Sequence, residues 1–342
     1  MKAVKMVCAL SALMAAALIT TGAQAQVKEL ARPAKTKFVQ IPGRIDTAYD
    51  TLRHVLYISA GEFLQRYDVT TGALLIPVHV GGSPFGLDIS PDGKTLAAAN
   101  GAIDGATNFV DLVDLEAQTV QRRNFPLDFQ EGGTFTVAFD AQGKLLISSM
   151  FQGSGWVPLR KLDPVTGALT TLGSVRQDSM LSASPERKVI GVAESNSSNG
   201  PYGFYKAGDT SYSSQHSTGW SNFEIAVGKR GKQAAVPTYG GTQIYDSAVQ
   251  RPIVGEYAGV APIGAAYAPN RDVVYFPMAN TSYVAVYDTV TMKESGRINM
   301  PGAFNWAGGV AFSQGRAKVS SDGAYLFVTI ADGVAITPLT RR

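Results

Sequence analysis

The apolar residues of this chain fall in short runs parted by turn residues, most clearly in Gly81–Asn100, which reads GGSPFGLDISPDGKTLAAAN. Residues 86–89 and 95–99 predict two short strands. Ser90-Pro91-Asp92-Gly93 predicts the turn between them, because proline presets φ and glycine tolerates φ > 0. Equivalent turns stand at Asp50–Arg53, Asp140–Gly143, Ser184–Arg187, Gly228–Gly231, Ala268–Arg271 and Ser320–Gly323. The hairpin therefore occurs seven times, at intervals of 40, 50, 44, 44, 40 and 52 residues. That spacing suits a four-stranded unit and is too long for most solenoid repeats.

A second hairpin recurs in the same units, with an aspartate leading its turn: Tyr67-Asp68-Val-Thr-Thr-Gly72, Val113-Asp114, Leu162-Asp163-Pro-Val-Thr-Gly167, Tyr245-Asp246 and Tyr287-Asp288. Such an aspartate accepts hydrogen bonds from backbone amides just ahead of it, and Gly72 and Gly167 ease the left-handed position. These residues, with Asp50, Asp92 and Asp140, are expected to be structural. The segments Ser90-Pro-Asp-Gly-Lys-Thr-Leu and Tyr67-Asp-Val-Thr-Thr-Gly resemble the YVTN-type propeller repeat, over roughly Lys37 to Leu339.

The resemblance implies an all-β, seven-bladed β-propeller of four-stranded antiparallel blades, of the kind found in exported bacterial and archaeal proteins. It is similar to the propeller subunits of periplasmic amine dehydrogenases and to lactonase-like propellers. Blade four departs from the pattern, with Ser184-Pro-Glu-Arg for its turn and no Asp-led hairpin in the polar stretch Asn196–Gly219. After the last turn only Tyr325–Ile330 and Gly333–Leu339 remain as strands, which leaves blade seven one strand short. Thr36–Pro42 is expected to complete it, closing the ring and covering an exposed edge.

The N-terminus adds a compartment. Lys2 and Lys5 precede an apolar run from Met6 to Thr20, followed by Ala23-Gln24-Ala25, so residues 1–25 read as a secretory signal peptide and residues 26–342 as the propeller. The run spans only about 15 residues, short of the roughly 17 to 25 of a transmembrane helix, and no later segment matches it. A periplasmic or secreted protein without a transmembrane segment after cleavage is expected. Cys8, the single cysteine, lies inside the signal. Cleavage would leave 28 basic against 27 acidic residues, dispersed along the chain, which argues against nucleic acid as a ligand.

Catalytic signatures are few. The chain has no His-Glu-x-x-His, Gly-x-Ser-x-Gly, Walker or dinucleotide motif, and no cofactor, metal site or catalytic residue is expected from it. Its histidines, His54, His79 and His216, fall at a turn, on an outer strand and in the blade-four connection. Aligning the seven units on their turns sets Asp46, Gly86, Thr136, Met180, Glu224, Gly264 and Arg316 at one level of the central channel. Arg44, Asp178, Asn222 and Gln314 follow just above. Converging carboxylates and a guanidinium suit either a small ligand or a ring of ion pairs that plugs the channel.

The connections from second to third strand are expected to be long in blades two, three and four (Asn100–Asn108, Met150–Val157, Glu194–Gly203) and short elsewhere. They would raise a wall carrying Phe151, Trp156, Glu194 and Tyr202 on the channel-mouth face, suited to glycan or peptide contact. Pro301–Arg316, with Phe304 and Trp306, would lie on the same face as a lid or a linker.

These features favour a non-catalytic binding or scaffold propeller, a monomer or a subunit of a hetero-complex. It would engage a protein or glycan partner through Asp46, Glu224, Arg316, Arg44, Asn222, Trp156, Glu194, Tyr202 and Trp306. The alternative is a periplasmic lactonase- or lyase-like enzyme, or the propeller subunit of a quinoprotein dehydrogenase. If the channel-mouth face is functional, Glu224→Ala or Arg316→Ala is expected to abolish ligand binding or turnover and leave the melting temperature nearly unchanged.

Overall fold

The seven predicted turns each join the first and second strands of a separate antiparallel sheet. The computed structural model describes residues 35–247, 249–253, 261–305 and 311–339; the expected signal peptide and Trp306 lie outside these. Seven four-stranded sheets follow one another along the chain, a seven-bladed β-propeller. Among the described residues the regular structure is β apart from a 3₁₀ turn at Lys229–Gly231, and no helix is long and apolar enough to cross a membrane.

Blade one shows the plan, running Arg44–Asp50, Val55–Ala60, Phe63–Asp68 and Ala73–His79 from the axis outward. Its second strand is buried throughout, because it packs blades on both faces, whereas the outer strand is mostly exposed, with only Val78 buried. The Asp-led turns behave as the pattern predicts. Asp68 Oδ1 accepts from the Thr70 and Thr71 amides at 2.8 and 2.9 Å, and Asp288 Oδ1 from Val290 and Thr291 at 3.0 and 2.7 Å. These backbone donors hold both carboxyls below the usual aspartate range.

Closure occurs where it is expected. Lys37–Gln40 pairs antiparallel with Gly333–Pro338 as the outermost strand of blade seven, Phe38 opposite Ala335 and Val39 opposite Val334. Val39 and Ile41 are buried with Leu56, Ile58 and Phe327, so the strand ties blade seven to blade one.

Two local expectations are refined. The second-to-third connection of blade six, 278–282, is longer than that of blade three, 152–155, so blade six belongs with the extended ones. In blade four the outer strand shrinks to His216–Ser217, and the residues before it lie across blade three instead. The Tyr212 amide donates to Leu172 O at 2.8 Å, and a Cβ on Gly173 would stand 2.4 Å from Tyr212 O. That segment thus lies against the outer strand of blade three, Leu169–Arg176.

Candidate functional site in the central channel

The innermost strands place three of the predicted residues together. Arg316, on the connection entering blade seven, donates Nε to Asp46 Oδ1 at 2.6 Å and Nη1 to Glu224 Oε2. Asp46 and Glu224 stand on blades one and five, so the guanidinium bridges the channel. Lys318 donates to Asp46 Oδ2 at 2.9 Å and to the carbonyls of Thr47 and Leu87, while the Leu87 amide donates to the same Asp46 oxygen at 2.9 Å.

Gly86 and Gly264 share this level because backbone from the next blade passes close by. A Cβ on Gly264 would lie 1.9 Å from Gly315 O, and one on Gly86 2.9 Å from Thr136 Cα.

Asp46, Glu224 and Arg316 are all buried, and the electrostatics follow from that. Burial pushes the Asp46 carboxyl up, but the Arg316 and Lys318 charges outweigh it and hold the group at about 2. For Glu224, burial prevails and raises the carboxyl, Arg316 opposing and Asp46 adding. Burial lowers Arg316 and its two carboxylates more than reverse this, so it stays protonated. Lys318 is lowered by burial against the pull of Asp46 and Asp88. The four charges sum to zero when ionised.

An aromatic roof closes the layer on one side. The Arg316 guanidinium lies 5.0 Å from the Phe312 ring centre, and Phe312 meets Phe135 at 4.9 Å and Phe85 at 5.9 Å. Phe312 holds a left-handed backbone, φ 61°, an unfavourable conformation for a bulky residue. Arg44 grips that segment, donating Nε to Ile330 O at 2.9 Å and Nη1 to Phe312 O at 3.1 Å. Arg44 thus anchors the roof instead of facing a mouth.

On the other side, toward the first-to-second-strand turns, the channel widens into a cavity of about 490 Å³. Two residues beyond the charged level, each inner strand contributes Ala48, Asp88, Ala138, Ser182, Ala226, Ala266 or Lys318, and all seven line it. Four alanines and a serine make the room.

The remaining predicted residues disperse. Glu194 is buried, accepting from the Arg176 amide at 2.8 Å and from the Ser214 hydroxyl. Asn222 is buried and donates to Glu194 O at 3.1 Å and Pro201 O at 2.9 Å, tying the blade-four connection to the approach to blade five. Tyr202 is buried within blade four, its ring 5.1 Å from His216, so it is core and not part of a raised wall. Trp156 is 64 % exposed beneath the Arg176 guanidinium, 4.8 Å from its ring.

His54 pairs with the Tyr49 hydroxyl at 3.2 Å, and His79 with Glu62 at 3.5 Å. Neither these nor His216 lines the cavity. Among the described residues no three histidine, cysteine, aspartate or glutamate side chains gather around a common metal position.

The sequence reading missed Lys318, Asp88 and Arg187, although the same turn alignment places the first two one inward-facing position farther along. It also missed exposed Phe129, Trp220 and Tyr239, which sit on connections outside the repeat core.

Hydrazine synthase of Kuenenia stuttgartiensis superposes with a TM-score of 0.66 at 14% identity, over 88% of this chain and 97% of that one. The likeness is one of fold. With 1387 matching solved chains, the architecture is shared too widely to carry a function. No protein-family model matches the chain, and no curated protein does.

Proposed function

We propose that this chain is an exported, non-catalytic binding or scaffold propeller of the YVTN-repeat type. It engages a protein or glycan partner on the face formed by the second-to-third-strand connections and the blade-to-blade connections. The observation that carries this reading is the run of exposed aromatic side chains on that face. Phe129, between blades two and three, is 79 % exposed, Trp156 in blade three 64 %, and Tyr239 in blade five 56 %, with Trp220 between blades four and five also exposed. Uncovered aromatics of this size bury well against a partner and supply most binding energy per residue. The channel offers no rival on this face, since its acids and bases neutralise one another beneath the aromatic roof.

The test is affinity capture from periplasmic extract, together with binding to a glycan array, by the parent protein and a Phe129→Ala/Trp156→Ala variant. The variant is expected to lose retention by about tenfold or more, since each aromatic anchor is worth about 1–2 kcal/mol, while melting as the parent does. Undiminished retention of the same partners or glycans by the variant would remove this face from consideration.

A further inference from the structure

The face formed by the second-to-third-strand and blade-to-blade connections is one-sided in charge. Its described connections bring Glu62, Asp104, Asp128 and Asp332 to solvent and leave Asp178 half-buried. Their lysines and arginines come down to Arg316, which is buried beneath the Phe312 ring. The chain as a whole does not share this bias, since 28 basic residues stand against 27 acidic ones after the expected cleavage.

Two arginines stand at strand ends beside these connections, and both are turned to their own chain. Arg44 donates to Ile330 O and Phe312 O. Arg176 lies 4.8 Å from the Trp156 ring centre and donates Nε to Asn196 O at 3.2 Å. Among the described residues no lysine or arginine pairs with Asp104, Asp128, Asp178 or Asp332. Acids at the opposite end have local tasks instead: Asp68, Asp114 and Asp288 accept backbone amides of their own turns, and Asp50 and Asp163 pair with Arg53 and Lys144.

The unpaired acids accompany the exposed rings. The connections carrying Asp104 and Asp128 are joined, the Leu127 amide donating to Ala106 O at 3.3 Å, and Phe129, 79 % exposed, directly follows Asp128. Burial raises the Asp178 carboxyl above the usual aspartate range although Asn196 donates to it at 2.6 Å, so a cation placed nearby relieves it. Trp220 is pressed against the neighbouring turn, where a Cβ on Gly240 would stand 2.5 Å from its ring. A ring fixed in this way loses little freedom on binding.

From the unpaired carboxylates beside exposed rings we infer that the partner on this face is a basic protein segment, rich in arginine or lysine, and not a neutral glycan. This deepens the reading under Proposed function and rests on it. A cation over Phe129 or Trp220 gains from the ring face, and a neighbouring carboxylate accepts its N–H groups. Arg176 on Trp156 makes the same contact within the chain.

Fluorescence anisotropy with labelled peptides of repeated Arg-Gly-Gly and of repeated Glu-Gly-Gly tests this. The purified protein is expected to bind the arginine peptide saturably, about tenfold more weakly at about 300 mM than at about 50 mM sodium chloride, and not to bind the glutamate peptide. Asp104→Asn/Asp128→Asn keeps the side-chain oxygen that accepts from the Phe129 amide. It is expected to weaken the arginine peptide by about fivefold or more and to melt as the parent does. Glu116→Gln, at the opposite end and 85 % exposed, is expected to change nothing. Absence of saturable binding of the arginine peptide, equal binding of the glutamate peptide, or binding unchanged in Asp104→Asn/Asp128→Asn would each overturn the inference. If Phe129→Ala/Trp156→Ala then still loses its captured partners or glycans, the face stands and only the charge of its partner is wrong; if that variant retains them, the face itself is lost.

Discussion

At the scale of single residues, burial decides what Arg316 is worth. An exposed polar mouth would tolerate Arg316→Ala with little change in melting temperature, as expected from the sequence. In the folded channel Asp46 and Glu224 are both buried and share that guanidinium. Removing one partner of a buried pair leaves uncompensated charge, so Arg316→Ala is expected to lose about 3–5 kcal/mol of stability, measured by urea unfolding at neutral pH.

The pH dependence follows from the same contacts. Asp46 titrates at about 2 when folded against 3.8 otherwise, so its contribution is present above 3.8 and is lost as the pH falls toward 2. Over that window the loss is about 2 kcal/mol. Glu224 has the opposite sign. Its folded carboxyl is raised, so its ionised form opposes folding at neutral pH, and mild acid relieves this before Asp46 begins to protonate. Melting temperature followed from pH 7 downward should therefore rise slightly, then fall steeply below about 4, and Glu224→Gln should remove the rise. A curve that falls steadily from pH 7 would contradict the assignment of Glu224.

At the scale of elements, the ring depends on its first strand. Lys37–Gln40 supplies the outer edge of blade seven, and the Ile41 amide donates to Asp332 O at 2.7 Å just beyond it. Deleting residues 26–42 removes buried Val39 and Ile41, worth about 3–6 kcal/mol together. It also bares the strand Gly333–Pro338, whose unpaired backbone groups invite another chain. Lower melting temperature together with concentration-dependent oligomers in size-exclusion chromatography is the expected outcome, whereas a monomer of parental stability would mean that the ring closes without this strand.

Much of this scale was legible in the chain. Ser90-Pro-Asp-Gly and the Asp-led hairpins carry their own turn chemistry within a few residues, so blade number and turn positions could be read directly. Blade four could not, because Tyr212 finds its place against blade three, a contact with no local signature.

At the scale of the whole molecule, the two ends of the channel differ. The exposed aromatic residues stand at one end, proposed above to meet a partner, and the cavity of about 490 Å³ opens at the other. The proposed partner assumes export, which rests on Lys2, Lys5, the apolar run and Ala23-Gln24-Ala25. Mass spectrometry of the protein recovered outside the cytoplasm should find Gln26, or a residue beside it, at the N-terminus. Met1 retained on that material would count against both the compartment and the extracytoplasmic partner.

What the amino-acid sequence determined by itself was whatever repeats or acts locally: the seven hairpins, the aspartate turns, the missing strand of blade seven and its replacement from the N-terminus. It also set Asp46, Glu224 and Arg316 at one level, because blades aligned on equivalent turns share a depth. Only the tertiary structure decided what that level does. The Arg316 contacts to Asp46 and Glu224 span 270 and 92 positions, and the rings that roof them include Phe312, which belongs to no repeat. Whether a converging set of charges opens to solvent or is sealed depends on what packs above and below it. For Asp46, Glu224 and Arg316 those neighbours come from other blades, which the repeat alone does not specify.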